Sequence, residues 1–391
     1  MKKSLTALAV LGVFAGSAMA ADVTLYGALD TGFEYFHHKT TNFDGTSVKD
    51  DTFDMQTGWD TGNRWGLKGS EDLGNGYKVS FKLESGFNGD TGTMGQGSRL
   101  FGREAGLTLS GPFGSVAFGR FGGIASSCGT YDMLGYVESF DGGDGDVWGF
   151  AASDRYDNMV VYQTPRFAGL QATVQYSFKT DTNENATDDF SGAEGTSDAQ
   201  RYASIGLSGE YGPAQFAVGY ELTKYGSNGI TERKLSKDDG HMVFVGGNYD
   251  FEVVQLFAEA QYFKGQTAAA GVDVMDKDGD FYDLLNADPA YRSGFEGLKG
   301  YGLHVGAVVP FGDNALTVGA YYVDGKAVAK DYDDIDFSFA GVSARYNYSL
   351  SERTALYVGA GYGQTKVDGE EGGSDYKAQV SQVYCGLTHT F

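Results

Sequence analysis

The sequence predicts an all-β fold: a 16-stranded antiparallel transmembrane β-barrel with an inward-folded third loop. Three observations predict it. Apolar and polar residues alternate with a period of two, and short turns alternate strictly with long connections. The composition is also rich in residues that suit strands and turns, with 60 Gly, 26 Tyr and 27 Phe but only 5 Pro in 391 residues.

The N-terminus is expected to be a signal peptide at residues 1–20, which leaves a barrel of residues 21–391. Lys2 and Lys3 precede an apolar run that is too short to span a bilayer, and Ala18-Met19-Ala20 forms a small-residue cleavage site. Cleavage removes two of 29 basic residues and none of the 52 acidic ones, so the formal charge moves from −23 to −25. This balance excludes an electrostatic case for nucleic-acid binding.

The first two hairpins show the alternation most clearly. In the first strand Val23, Leu25 and Leu29 share one face, whereas Tyr26 and Asp30 share the other. The Asn75-Gly76 pair then marks a tight turn between alternating segments. No run of 18 apolar residues follows the signal peptide, and barrel strands are the membrane-spanning element that escapes such a test.

The alternation of turns and connections gives the strand count. Seven short turns are predicted at 73–76, 111–114, 165–169, 211–213, 250–252, 310–314 and 349–353. Eight long connections are predicted at 37–62, 89–98, 122–153, 179–200, 224–240, 264–299, 324–336 and 363–377. These seven turns and eight connections join sixteen strands. Sixteen strands are too many to pack around the core of one β-sandwich, whereas a closed barrel of that size encloses an aqueous channel.

The connection 122–153 has an unusual composition for a surface loop. It combines glycines with large apolar residues such as Leu134, Phe140 and Trp148, and with five acids. These acids are Asp132, Glu138, Asp141, Asp144 and Asp146. We expect the segment to fold back into the barrel, with its apolar residues on the inner wall and its carboxylates facing an aqueous passage.

Several motifs resemble one family along the whole mature chain. They are Val23-Thr24-Leu25-Tyr26-Gly27, the stretch from Arg64 to Gly74, Asn347 to Thr354, and the final Gly386-Leu387-Thr388-His389-Thr390-Phe391. Together they resemble the trimeric general-diffusion porins of Gram-negative bacteria, particularly the β-proteobacterial type. The resemblance implies an outer-membrane homotrimer in contact with lipopolysaccharide, which passes small hydrophilic solutes and ions through water-filled pores.

The resemblance also implies where the working residues lie. A basic wall faces the acids of the third loop, and the matching positions by parity are Arg64, Lys68, Lys78, Lys82, Arg155 and Arg345. Phe391 resembles the signal that the barrel-assembly machinery recognises. Parity with Val116 and Phe118 puts Arg120 on the outer face.

Alternatives to passive diffusion remain at this point. A substrate-specific outer-membrane channel is the main one, and ion preference is open. Catalysis, a cofactor and a metal site are not expected, because the histidines show no metal spacing and the acidic stretch 273–283 fails the EF-hand register. Cys128 is predicted in the lumen and Cys385 outside, which favours two free thiols.

Overall fold

The computed structural model describes residues 22–145, 147–182, 193–226, 238–273, 291, 294–369 and 374–391, so the expected signal peptide lies outside it. The chain folds as a closed 16-stranded antiparallel β-barrel. Its strands are β1 (Asp22–Thr41), β2 (Arg64–Gly74), β3 (Tyr77–Gly86), β4 (Glu104–Gly111), β5 (Gly114–Gly122), β6 (Arg155–Gln163), β7 (Leu170–Ser177), β8 (Arg201–Tyr211), β9 (Ala214–Lys224), β10 (Gly240–Asp250), β11 (Gln255–Gln266), β12 (Phe295–Phe311), β13 (Asn314–Ala329), β14 (Ile335–Ser351), β15 (Thr354–Val367) and β16 (Tyr376–Thr390). Among the described residues no helix has the length and apolar character needed to cross a membrane.

The barrel closes by pairing its first and last strands. The register runs from Ala28 opposite Thr390 to Thr41 opposite Lys377. The backbones of Gly27 and Phe391 extend this pairing, because each N–H donates to the carbonyl of the other residue at 3.0 and 3.1 Å. Closure gives these two strands the partners that they would lack at the edges of an open sheet.

The two faces of β1 follow the predicted parity. Leu25 is 60% exposed on the outer face, whereas Asp30 is fully buried on the inner face. The same outward apolar pattern recurs on later strands, for example at Val305 and Val383. An apolar exterior around a polar interior suits a barrel in hydrocarbon, so the predicted fold class is confirmed.

The first long connection differs from the prediction, which treated 37–62 as a polar loop. Strand β1 continues to Thr41, turns at 42–46, and pairs with a strand at Ser47–Thr57, here called the return strand. The Asp44 side chain stabilises this turn by accepting a hydrogen bond from the Thr46 N–H at 2.8 Å. The acidic composition of the return strand hid its alternation.

The return strand and β2 lie one after the other along β1. The return strand ends with Thr57 opposite Thr31, and β2 begins with Arg64 opposite Ala28. Residues 58–63, here called the inward segment, leave the barrel wall between the two strands and reach the interior. The wall beside β1 is therefore built from two strands with an excursion between them.

The third loop, residues 122–153, lies inside the barrel, as predicted. Leu134 and Val137 are buried against the inner wall together with residues of β9–β15. Glycines on the wall make room for this approach: a Cβ at Gly246 would lie 2.9 Å from the Cβ of Val137. The main apolar cluster is thus formed between loop and wall, and part of the barrel cross-section stays open.

Candidate pore constriction

The open part of the lumen is a cavity of about 1110 Å³ between the third loop, the inward segment and the wall of β1–β3. It is lined by six basic and four acidic side chains. The basic residues are Arg64, Lys68, Lys82, Arg103, Arg155 and Arg345, and the acidic residues are Asp60, Glu84, Asp132 and Asp141. A chain with a formal charge of −23 therefore surrounds a cavity with a net charge of +2 when all ten groups are ionised (six minus four).

Two acids of the third loop, Asp132 and Asp141, line the cavity. Asp132 accepts a hydrogen bond from the Leu134 N–H at 3.1 Å, which fixes its side chain at the start of a single 3₁₀ turn. Burial raises the pKa of Asp132 well above its usual range, and the adjacent Asp141 carboxyl raises it further. The two carboxyl groups therefore favour a shared proton over two full charges.

Glu138 does not face the passage, contrary to the expectation. Its side chain is buried and accepts hydrogen bonds from Trp148 Nε1 and from the Gly142 N–H, each at 3.0 Å. Burial, and then the neighbouring Glu259 carboxyl, raise the pKa of Glu138 well above its usual range. Glu138 fixes the shape of the loop, because its partners lie within the loop itself.

Asp144 is also buried, so the expectation that it faces the passage was wrong. Its carboxylate accepts a hydrogen bond from the Tyr384 hydroxyl at 2.5 Å and another from Ser343, and Arg345 lies 3.6 Å away. Asp144 thus anchors the loop to β14 and β16. Asp146 lies outside the described residues.

The basic residues of the wall differ in whether a carboxylate lies close enough to form an ion pair. Arg64, Lys68 and Arg155 line the cavity with no carboxylate within 4.0 Å among the described residues. Lys82, by contrast, lies 2.8 Å from Glu104 and 3.7 Å from Glu84. Arg64, Lys68 and Arg155 therefore present the least compensated positive charge to the lumen.

Arg345 and Lys78 differ from this group. Arg345 lines the cavity but is shared between Asp144 at 3.6 Å and Asp60 at 3.7 Å. Lys78 is exposed next to the turn at Gly74–Gly76 and does not line the cavity, so its predicted place there was wrong. Parity gives the side of a strand but not the height along the barrel.

One basic residue of the cavity, Arg103, was missed. It lies between the second long connection and β4, where strand parity does not apply, and its Nε donates to Glu84 at 2.7 Å. Arg120, which parity places on the outer face, is only 12% exposed and its guanidinium pairs with Asp157 at 2.6 Å. A register shift between Gly119 and Phe121 breaks the parity of β5 at this residue.

The remaining candidate groups add no chemistry to the cavity. Cys128 is buried at the cavity and Cys385 is exposed, and both are free thiols. Within the described ranges no group of three or more His, Cys, Asp or Glu side chains is placed to hold a metal ion. Most of the acidic stretch 273–283 lies outside those ranges.

Comparisons with known proteins agree with this architecture. The sequence profile of the Gram-negative porins matches residues 6–368. An outer membrane porin protein of Bordetella pertussis is 36% identical over 413 residues and covers 100% of both chains.

Among solved structures, an anion-selective porin from Comamonas acidovorans is 24% identical with a TM-score of 0.62, covering 95% of this chain and 100% of its own. A trimer form of OmpT from Vibrio cholerae is 16% identical with a TM-score of 0.54, with the same coverage. At these identities the two structures show the fold alone. The chain belongs to the Gram-negative porin family, as an integral β-barrel of the outer membrane.

Proposed function

We propose that this porin lets small hydrophilic solutes and ions diffuse through the cavity, with a preference for anions. The single observation that carries the preference is the set of Arg64, Lys68 and Arg155, which face the lumen without an ion-pair partner among the described residues. Asp132 and Asp141 stand on the loop and share a proton more readily than ordinary carboxyls. The wall therefore outweighs the loop in charge.

The mechanism is selection by width and by charge. The third loop narrows the lumen, and basic groups on one side with carboxyls on the other create a field across the passage. Such a field aligns dipolar solutes and water, so an apolar molecule would have to displace aligned water without making a compensating interaction of its own. The anchors of Asp144 and Glu138 keep the loop in place while solutes pass.

A substrate-specific channel is the less favoured alternative. It requires a continuous track of accessible lumen aromatics. Tyr26 and Trp59 line the cavity, but Tyr321 and Tyr357 are each only 3% exposed. Tyr357 is further occupied by a hydrogen bond to Asp30 at 2.6 Å. Linear, non-saturating flux is therefore expected for small polar solutes of similar size.

Planar bilayers test the proposal directly. The purified protein is expected to form conducting pores whose reversal potential in a KCl gradient has the sign of chloride permeation. The preference should weaken as the ionic strength rises, because salt screens the wall charges. If the bilayer shows no conductance after the protein is added, the proposed transport function is wrong. If the pores conduct but prefer potassium, only the proposed ion preference is wrong.

We also propose that the protein assembles as a homotrimer in contact with lipopolysaccharide, after cleavage behind Ala20 and without catalytic activity of its own. The trimer form of OmpT from Vibrio cholerae, which shares the fold, supports this assembly. Phe391, whose backbone extends the pairing of β1 with β16, is proposed as the residue that the barrel-assembly machinery reads. Chemical cross-linking in outer membranes tests the trimer, and N-terminal sequencing of the mature protein tests the cleavage site.

A further inference from the structure

We infer that the inward segment, residues 58–63, is a second element of the constriction and sets the width of the pore together with the third loop. This inference rests on the proposed diffusion function. Trp59, Asp60 and Thr61 line the same cavity as Asp132 and Asp141. The return strand and β2 on either side of the segment belong to the barrel wall, so these residues protrude into the lumen as a short loop of their own.

A buried carboxylate holds the segment in the lumen. Asp30, which is fully buried on β1, accepts hydrogen bonds from the N–H groups of Asp60 at 2.6 Å and Thr61 at 2.8 Å. Its second oxygen accepts the Tyr357 hydroxyl at 2.6 Å. Both carboxyl oxygens are thus engaged, and two consecutive backbone N–H groups of the segment are fixed to β1.

The beginning of the segment is fixed by backbone geometry. The N–H of Gly58 donates to the carbonyl of Asp30 at 3.2 Å. Gly58 has a φ of +84°, a conformation that glycine adopts without a steric penalty. Asn63 closes the other end, since its Nδ2 donates to the same carbonyl at 3.0 Å.

Contacts to the last strands hold the tip of the segment. The indole ring of Trp59 stacks on Tyr384 with ring centroids 4.9 Å apart and an interplanar angle of 5°. Asp60 accepts hydrogen bonds from Asn347 Nδ2 at 2.7 Å and from Thr388 Oγ1 at 3.1 Å. The segment is therefore held from β1 on one side and from β14 and β16 on the other.

The inward segment and the third loop share their anchors. Arg345 donates to the Trp59 carbonyl at 2.7 Å and lies 3.6 Å from Asp144 of the loop. Tyr384, on which Trp59 stacks, donates its hydroxyl to Asp144. A Cβ at Gly145 would collide with the Trp59 ring, so the two segments are in direct contact. They form one rim around the opening rather than two independent loops.

Site-directed thiol labelling tests this inference. Thr61→Cys is introduced into a Cys128→Ser, Cys385→Ser background, so that it carries the reactive thiol to be labelled. The thiol is modified with a bulky methanethiosulfonate, and the single-channel conductance of the protein is measured before and after labelling. We expect a fall of roughly 1.5-fold or more, because the added group stands in the narrow part of the pore. Thr46→Cys at the exposed turn of the same hairpin is the matched control and should change little. Mass spectrometry confirms that both thiols have reacted.

A third variant separates this inference from the proposed function. Asp141→Cys on the third loop, labelled in the same way, should also reduce conductance if loop and wall form the pore. Reduced conductance for Asp141→Cys, together with a Thr61→Cys channel that behaves like Thr46→Cys, would overturn the inference alone. Absence of conductance in the unlabelled background would instead overturn the proposed function.

Discussion

Replacement of Lys68 by Gln is the most direct test of the proposed anion preference. Lys68 is exposed to the lumen, and its Nζ lies 5.1 Å from the centroid of the Tyr26 ring. No carboxylate is paired with it among the described residues, so its removal leaves no buried acid without a partner. The change therefore alters the charge of the cavity and leaves its structure in place.

The expected magnitude follows from the cavity. One elementary charge in 1110 Å³ corresponds to a fixed-charge concentration of about 1.5 M. At a pH above the raised pKa of the Asp132–Asp141 pair, where all ten groups are ionised and the net charge is +2, equilibrium partitioning from about 1 M KCl gives a chloride-to-potassium ratio of about 11 in the cavity. With a net charge of +1 the ratio falls to about 4, so we expect the permeability ratio to decrease about three-fold.

The assay is the reversal potential of single pores in a KCl gradient, with Lys78→Gln as the matched control. Lys78 is an exposed lysine on the neighbouring strand that does not line the cavity. Its replacement should leave the permeability ratio close to that of the wild type. Equal shifts in both variants, or no shift in Lys68→Gln, would refute the assignment of selectivity to the charges of this cavity.

Three further predictions concern the third loop. Arg345→Gln removes the cation beside buried Asp144, which should lower the free energy of unfolding by about 3–5 kcal/mol. The denaturant midpoint in detergent should fall accordingly, and Arg345→Lys should recover part of the loss. Leu134→Ala opens a cavity under the loop at a cost of about 2–5 kcal/mol and should expose the loop to external protease; an unchanged digestion pattern would contradict this packing. Burial and the Asp141 carboxyl raise the pKa of Asp132. The shared proton therefore contributes fully to stability below the unfolded-state pKa, and the Asp132–Asp141 pair loses this proton as the pH rises through the raised value. Anion preference should therefore decrease with rising pH in that window, and this step should be absent from the reversal potentials of Asp132→Asn.

Period-two alternation, together with the strict succession of short turns and long connections, was sufficient to predict the barrel. Each strand buries one face and exposes the other, so the side chains of β1 could be assigned from parity alone. The inward position of the third loop could also be predicted, because residues such as Leu134 have no favourable place in a solvated loop. Both predictions depend on local composition, which the sequence displays directly.

The partners across the lumen could not be predicted in the same way. Asp144 meets Ser343, 199 residues later in the chain, and parity does not specify which acid will find such a partner. The inward segment was missed because it is short and lies in a polar stretch. Its one available signal was Trp59, a large aromatic residue between Gly58 and Gly62.

The seam between β1 and β16 constrains the order in which the protein can fold. Ala28 and Thr390 lie at opposite ends of the chain, so the pairing that seals the cylinder has a very large sequence separation. Until β1 and β16 pair, a partly inserted sheet has two edge strands whose unpaired backbone groups can pair with other chains. The newly exported chain is therefore most prone to aggregate in the period before the barrel closes.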